Sequence, residues 1–211
     1  GKEKCTIWMS KFKNGEWLEP RILPLTINMP GTNSTQPALG TVVDKKTSRK
    51  QDLLFFVSDR PKGKGGLDIW VAPYDNKTDG FKKAKTAGKI NTAGDELTPY
   101  YNNENNTLYY SSNGSDQSLG GFDILYAEGK EKFLAGKNVG SPINTRADEV
   151  GFIMNGEGSE GYFVSNREGG FSTLNPTCCD DIYHFTYLEF IRLAVKGIVF
   201  EAANAKDKPN G

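Results

Sequence analysis

The sequence is poor in the residues on which metal, nucleophilic and membrane functions most often depend. It contains a single histidine and no apolar run long enough to cross a membrane as a helix. Its formal net charge at pH 7 is zero. Because the basic residues are scattered rather than clustered, we expect no nucleic-acid partner and no transmembrane segment. No cofactor-binding motif is apparent, and we expect no cofactor.

Cysteine is also scarce, with Cys5 and the adjacent pair Cys178 and Cys179 as the only three. An odd number of cysteines gives no complete disulfide framework. The sequence has neither a C-x-x-C pair nor a histidine partner, which argues against a zinc site. We expect free or variably oxidised thiols, and a link between Cys5 and the pair is the alternative.

Glycine and proline are abundant, whereas no segment has a helical period. The 24 glycines and 10 prolines favour short strands joined by turns. Residues 6–12 alternate apolar and polar side chains, as a strand with one buried face does. The sequence therefore predicts an all-β fold.

One phrase recurs along the chain and organises it. In its first copy, Ser-Asp-Arg-Pro leads through a loop to Gly-Gly-Leu-Asp-Ile-Trp, over residues 58–70. Related phrases occupy 111–126 and 165–183, and an Ile-Asn pair precedes each copy. Repeats of roughly 40 to 60 residues with four short strands each are typical of propeller blades.

These repeats predict a partial β-propeller over residues 1–188. We expect three four-stranded blades, at about 22–74, 81–128 and 133–188. A single strand at 6–13 precedes them and matches the outermost strand of a blade. Since a closed propeller needs at least about four blades, we expect a fragment of a longer propeller. Residues 189–211 are predicted to be a linker and the start of a small β-sandwich-like domain.

Three phrases resemble a known family: residues 58–70, Ile-Asn-Thr-Ala-Gly-Asp-Glu-Leu-Thr-Pro at 90–99, and Thr-Leu-Tyr-Tyr-Ser-Ser at 107–112. They closely resemble the PD-type (WD-like) β-propeller repeat of OmpA-family envelope proteins of Bacteroidetes. The resemblance covers about 22–188. The Cys-Cys-Asp-Asp-Ile-Tyr phrase at 178–183 is similar to the last blade of the peptidoglycan-associated subunit of the type IX secretion system.

The resemblance implies a protein of the periplasm, associated with the outer membrane and peptidoglycan. Its partners would be other envelope or secretion-system proteins. Residues 196–201 look like the first strand of a carboxypeptidase-regulatory-like domain. Peptidoglycan binding belongs to an OmpA-like domain of the family, which has no counterpart among these residues.

The repeated phrase contains an aspartate that could be a metal ligand or a catalytic acid. The three copies are Asp68, Asp123 and Asp181. We favour a structural role, in which each aspartate accepts hydrogen bonds from backbone N–H groups of the preceding loop. A calcium site made by Asn113, Asp116 and Asp123 is the alternative, although the EF-hand pattern is absent.

Glycines and arginines accompany these aspartates. The glycine pairs Gly65-Gly66, Gly120-Gly121 and Gly169-Gly170 are expected to supply positive φ angles for the tight loops. Arg60 and Arg167 are expected to pair with the aspartate across the loop. Gly114 occupies the arginine position in the second copy, so this pair is not general.

Two further groups have both a chemical and a structural interpretation. Asp95-Glu96 and Asp148-Glu149 are paired carboxylates of the kind that glycosidases use. Because the pair recurs at one repeat position, we favour a turn or strand-cap role. Trp8, Trp17 and Trp70 are expected to fill the packing between blades rather than bind sugars.

The sequence favours a non-catalytic protein-binding scaffold, because its motifs are repeated and its variation lies in loops. The residues predicted to meet partners lie in three loops and are Arg49, Lys50, Asp116, Cys178 and Cys179. A glycan-binding module with exposed aromatics, or a propeller glycosidase, is the alternative. We do not expect an enzyme, since His184 has no apparent nucleophile partner.

Overall fold

The computed structural model describes residues 3–43, 47–171 and 179–187. Within these ranges the chain is all-β and contains no helix, which confirms the predicted fold class. Its strands form several small antiparallel sheets. The predicted β-domain at 189–211 and Cys178 lie outside the described residues. No closed ring of sheets is present in the described ranges, and the blade arrangement stays a prediction.

The N-terminal segment, predicted as a lone strand, folds back on itself as an interrupted hairpin. Its four short strands are Trp8–Met9 (β1), Phe12–Lys13 (β2), Glu16–Trp17 (β3) and Arg21–Ile22 (β4). The inner pair is β2 with β3, and the outer pair is β1 with β4. Asn14 and Gly15 form the turn with φ angles of 54° and 85°. Two consecutive positive φ angles suit a tight hairpin turn, because they match the strand twist.

The first large sheet follows chain order and has five strands. Its strands are Ser34–Val43 (β5), Lys50–Ser58 (β6), Asp68–Asp75 (β7), Gly80–Phe81 (β8) and Lys85–Thr86 (β9). Strands β8 and β9 both pair with β7, one after the other along its length. Strand β6 is buried on both faces, because the sheet is covered on either side by other elements.

Two further sheets repeat this order. The second consists of Glu96–Asn102 (β10), Thr107–Ser112 (β11), Asp123–Glu128 (β12) and Lys137–Asn138 (β13). The third consists of Glu149–Met154 (β14), Glu160–Ser165 (β15) and Asp181–Thr186 (β16). All neighbouring strands are antiparallel.

The limits of the sheets differ from those of the predicted units. The sheets span 34–86, 96–138 and 149–186. The difference arises because residues 80–86, assigned by the prediction to the second unit, return along β7 and close the first sheet. Consecutive strands usually pair with each other, so β8 and β9 pair with β7, which precedes them in the chain. The first sheet therefore ends later in the sequence than the first predicted unit.

Neighbouring sheets pack through their first strands, since β10 contacts both β5 and β14. The Tyr101 ring stacks on Phe55 with ring centroids 5.1 Å apart, and Tyr109 stacks on Phe152 at 4.8 Å. Gly40 lies opposite Tyr101, and a Cβ there would be 2.5 Å from the Tyr101 Cδ1 atom. This glycine therefore allows the first two sheets to approach closely.

A bulge in each first strand links the three sheets laterally. The bulges contain Gln36, Thr98 and Gly151, with φ angles of 47°, 47° and 66°. Thr98 N donates to Gln36 Oε1 at 2.8 Å, and Gly151 N donates to Thr98 Oγ1 at 3.0 Å. Each bulge thus binds the bulge of the next sheet, which sets the lateral register of the first strands.

The strands define two ends of the molecule. We call the end formed by the β5–β6, β10–β11 and β14–β15 turns the hairpin end. The end formed by 59–67, 113–122, 166–171 and 179–180 is the loop end. Thr41 N donates to Asn103 Oδ1 at 2.7 Å near the hairpin end, so corresponding ends of the first two sheets lie side by side.

The tryptophans do not share one role. Trp70 is buried in a cluster with Ile27 and Phe56, as an interior packing residue is. Trp8 and Trp17, however, are 59% and 72% exposed. The prediction that the tryptophans fill interior packing therefore holds for Trp70, and it stays a prediction for Trp8 and Trp17, since no described element covers the outer face of the N-terminal hairpin.

Replacing Gly40 with alanine should destabilise the protein by about 1 to 3 kcal/mol, because the added methyl group overlaps the packed Tyr101 ring. Urea denaturation measures the change. Gly156→Ala is the matched control, since a Cβ at Gly156 meets nothing within 4 Å. Equal stability of the two variants would contradict close packing of the first strands.

Candidate functional site

The repeated aspartates lie at the loop end, where each holds the loop that precedes its strand. Asp68 Oδ2 accepts hydrogen bonds from the backbone N–H groups of Lys64 and Gly65 at 2.9 and 3.3 Å. Asp123 Oδ2 accepts in the same way from Leu119 and Gly120, at 2.7 and 3.3 Å. In the third copy, Asp181 Oδ2 accepts from Phe171 N at 2.6 Å. This geometry uses one carboxylate oxygen of each aspartate to close a loop.

The glycines beside these aspartates allow close approach rather than unusual φ angles. The expectation of positive φ angles is confirmed at Gly169, with a φ of 92°, and is wrong for the other five glycines, including Gly66 and Gly121. A Cβ at Gly66 would overlap the Asp95 carboxylate, and one at Gly121 would overlap that of Asp148. The space for a side chain is missing because each loop lies directly against the linker that leads to the next sheet.

The two arginines do not pair with the aspartates, contrary to expectation. Arg60 instead reaches from β6 to the linker before β5 and makes only uncharged contacts. Its hydrogen-bond acceptors are Ser58 Oγ (3.1 Å), Thr26 O (3.2 Å), Ile27 O and Ser34 Oγ (3.2 Å). Its guanidinium also lies over the rings of Phe56 and Trp70, at 4.6 and 5.2 Å. We call this arrangement an arginine bracket.

Arg167 builds the same bracket in the third sheet. It donates to Ser165 Oγ, Pro142 O and Ile143 O, and it lies over the rings of Phe163 and Tyr183. The two brackets differ in one partner. Arg167 forms an ion pair with Glu149 at 3.1 Å, whereas Ser34 occupies the corresponding place near Arg60. The two brackets therefore have similar geometry, but Arg167 binds a carboxylate where Arg60 binds a neutral hydroxyl group.

The sequence analysis missed a structural role for the buried asparagine in each linker, that is, in each segment that leads into β5, β10 or β14. Asn91 Oδ1 accepts from Ile69 N at 3.0 Å, and its Nδ2 donates to Ile69 O at 3.0 Å. Asn28 binds Ile7 in this way, and Asn144 binds Ile124. Each side chain pairs with a backbone unit as a neighbouring strand would. The recurring Ile-Asn pair was the available signal, but it was used only to mark the repeat.

The paired carboxylates have separate structural partners. Asp95 Oδ1 accepts from Leu67 N at 2.7 Å, across the gap between two sheets. Glu96 is fully buried and accepts from Thr92 N, Thr92 Oγ1 and Ser112 Oγ at 2.9, 2.6 and 2.8 Å. Burial raises the pKa of the Glu96 carboxyl, although the bonds from Thr92 and Ser112 lower it in part. Neither Asp95 nor Glu96 lines the two cavities described below, whereas Asp148 of the other pair lines one of them.

Two cavities open at the loop end. One, of about 740 Å³, lies between the second and third sheets and is lined by residues of both charges, including Arg146, Asp148, Arg167 and Glu168. The other, of about 700 Å³, lies beside Arg60 and carries Lys62, Lys83 and Lys85 on its wall. The charge of the second cavity makes it the stronger candidate for a ligand site.

The described part of the chain contains no cluster of three or more His, Cys, Asp or Glu side chains suited to a metal ion. The calcium alternative placed Asn113, Asp116 and Asp123 around one ion. In the structure, Asn113 Oδ1 accepts from Asp95 N at 2.7 Å, and Asp123 binds its own loop. These bonds direct both side chains to the backbone.

The residues predicted to meet partners are exposed but do not lie together. Arg49 and Lys50 are at the hairpin end, whereas Asp116 and Cys179 are at the loop end. Cys5 is exposed as well. His184 lies 3.4 Å from the Glu160 carboxylate on an exposed strand face, away from both cavities. Any partner that contacts all of these loops would have to span the sheets from end to end.

No family model and no curated protein matches the chain. The resemblance to the PD-type repeat therefore stays a prediction. Among the described residues, no helix has the length and apolar character needed to cross a membrane.

Replacing Asn91 with aspartate should destabilise the protein by about 2 to 3 kcal/mol, because the buried Ile69 carbonyl loses its donor. Chemical denaturation followed by circular dichroism measures this loss. Asn76→Asp, in an exposed turn, makes the same chemical change and should be nearly neutral. A similar effect at both positions would show that charge, not the buried bond, is responsible.

Stability should also depend on pH through Glu96. Between the ordinary carboxyl pKa and the raised pKa of Glu96, the folded protein binds more protons than the unfolded chain, so stability falls as pH rises through this window. The free energy of unfolding of the wild type, relative to that of Glu96→Gln, should therefore increase as the pH is lowered from about 8 to about 5.

Urea titrations at several pH values test this dependence, with Glu104→Gln in the exposed hairpin turn as the control. The difference in free energy of unfolding between the wild type and Glu96→Gln should grow as the pH falls. A difference that stays constant or becomes smaller would contradict the conclusion that burial raises the pKa of Glu96.

Proposed function

We propose that the chain belongs to a β-propeller whose blades form a non-catalytic protein-binding scaffold. Three sheets in chain order, with their first strands side by side, support the blade arrangement. The resemblance of residues 58–70 and 90–112 to the PD-type repeat suggests an envelope protein of the periplasm, associated with the outer membrane and peptidoglycan. Its partners are then other envelope or secretion-system proteins, including those of type IX secretion.

One observation carries the non-catalytic part of this proposal: the recurring carboxylates are bound to the fold itself. Asp68, Asp123 and Glu96 accept backbone N–H groups, and Glu149 binds Arg167. A catalytic pair of carboxylates needs two distinct environments and access to a substrate. Repetition of the same bonds in successive sheets supports a structural use for these groups.

The loops support protein binding, since they place exposed polar residues at both ends of a rigid set of sheets. The 113–122 loop is fastened at its base by Asp123 and presents Asp116 to solvent. Exposed loops on a rigid scaffold are common positions for recognition, because they vary without disturbing the core.

Glycan binding is a second candidate function, favoured by the aromatic residues of the N-terminal hairpin. Trp17 is 72% exposed and Phe12 is 60% exposed, and their ring centroids lie 5.3 Å apart. Exposed aromatic rings can stack on the apolar faces of sugars. The same rings would also suit packing against a further sheet, so they favour this function less strongly than the loops favour protein binding.

The scaffold function predicts specific crosslinks in the cell envelope. A photo-crosslinking residue at Asp116 or at Lys50 of the full-length protein should capture an envelope or secretion-system subunit, which mass spectrometry identifies. Lys77, in the outer turn between β7 and β8, is the control position and should capture none.

Two results would contradict the proposal. One is the absence of any envelope subunit at both Asp116 and Lys50, when the protein is present in its native envelope. The other is hydrolysis of a glycan or peptide panel by the purified full-length protein. Saturable oligosaccharide binding that Trp17→Ala abolishes would instead support the glycan-binding function.

A further inference from the structure

The cavity beside Arg60 has a strong excess of positive charge. Its wall carries the side chains of Arg60, Lys62, Lys83 and Lys85, and none of the described residues that line it is acidic. Its volume is about 700 Å³, which is within the range of ligand-binding pockets. A cavity of this charge attracts anions, and the attraction is focused because the walls exclude solvent.

Arg60 adds a charge to which no carboxylate of the described residues is hydrogen-bonded. The residue is only 7% exposed, and its four hydrogen-bond acceptors are neutral oxygens. The neighbouring carboxylate of Asp59 is bound to Asn33 and Lys4 instead. In the equivalent bracket, Glu149 compensates Arg167. The buried charge of Arg60 is offset only by the nearby carboxylate of Asp59, which is not hydrogen-bonded to it, so an anion in the cavity would stabilise it further.

Trp70 also lines the cavity and has an unpaired donor. It is 6% exposed, and its indole Nε1–H has no hydrogen-bond partner among the described residues. Buried donors in native proteins are nearly always paired, so this N–H is a group that an acceptor from water or from a bound ligand would satisfy.

The edge of the cavity favours a peptide over a small anion. Strand β9 pairs with β7 on one side, and no described strand pairs with its other side. An open edge offers backbone groups to an extended peptide. Leu25 and Met29 line the same cavity and are 70% and 40% exposed, which provides contacts for apolar side chains.

The lysines determine which peptides this edge accepts. Lys83 and Lys85 flank the edge, and lysines at such positions discourage pairing with ordinary strands. An acidic strand meets attraction instead of repulsion. The charge at the edge and the apolar wall together select for alternating acidic and apolar residues.

We propose that the cavity beside Arg60 binds an extended segment of a partner protein in which acidic and apolar side chains alternate. The acidic side chains meet Arg60, Lys83 and Lys85, and the apolar ones meet Leu25 and Met29. This inference rests on the scaffold function proposed above and specifies the chemistry of one partner.

Fluorescence anisotropy tests the proposal directly, with the full chain and a short fluorescein-labelled peptide of alternating Glu and Leu. The peptide should bind saturably, and a matched peptide with Gln in place of Glu should bind at least about tenfold more weakly. Binding of the Glu peptide should also weaken with added salt, because exposed charges are screened.

Two sets of variants locate the site. Lys83→Gln with Lys85→Gln should weaken binding about tenfold, and Trp70→Phe about fivefold. Lys82→Gln with Lys89→Gln is the matched control, since both lysines are exposed on the same segment but outside the cavity. This control should change affinity by less than about twofold. Circular dichroism confirms that each variant is folded.

Equal binding of the Glu and Gln peptides, or equal effects of the two lysine pairs, would overturn the inference. Binding of octanoate or inorganic phosphate without binding of the Glu peptide would also overturn it and assign the cavity to a small anion. If the Glu peptide does not bind while Asp116 or Lys50 still crosslinks to an envelope subunit, the peptide site beside Arg60 is contradicted and the scaffold function is not. If the peptide binds and neither position crosslinks, the proposed partnership with envelope subunits is wrong, whereas the peptide site beside Arg60 is supported.

Discussion

Each linker that leads into a sheet buries an asparagine side chain against the backbone of an earlier segment. Asn28, Asn91 and Asn144 bind both the N–H and the carbonyl of an isoleucine, which is Ile7 just before β1, Ile69 in β7 and Ile124 in β12, respectively. The linkers are irregular, and their surroundings are dry, so the isoleucine backbone would otherwise lack partners. The positions of the loop-end aspartates and glycines follow from this attachment, because the linkers must lie against the preceding loop.

Differences among the copies are informative because the shared contacts are structural. Glu149 balances Arg167, Glu96 is buried with no arginine, and Ser34 leaves Arg60 among neutral acceptors. In the first sheet, Arg60 lies beside a lysine-lined cavity and is hydrogen-bonded to no carboxylate of the described residues. The first sheet thus keeps the geometry of the bracket but makes its charge available to a ligand.

Several features of the fold and of the candidate site could be predicted from local pattern. The alternation at 6–12 and the turn residues indicate strands, and Gly-Gly before Asp68 indicates a loop that a carboxylate closes. Other features depend on distant residues. The partners of Arg60 come from residues 26, 27 and 34, well away in the chain, and a flexible arginine side chain has many possible acceptors within reach. The repeat in the sequence indicates how many similar units there are. It does not show where each sheet ends, because that depends on which strands pair, as β8 and β9 do with β7.

The amino-acid sequence by itself determined the strand content, the repeat and the points at which loops tighten, because these depend on neighbouring residues. Only the tertiary structure decided that Gly66 makes room for Asp95, that the arginines reach the linkers rather than the aspartates, and that Arg60 is hydrogen-bonded to no carboxylate of the described residues. These outcomes depend on contacts between segments that are separated in sequence, where packing and the need to pair buried polar groups select one arrangement.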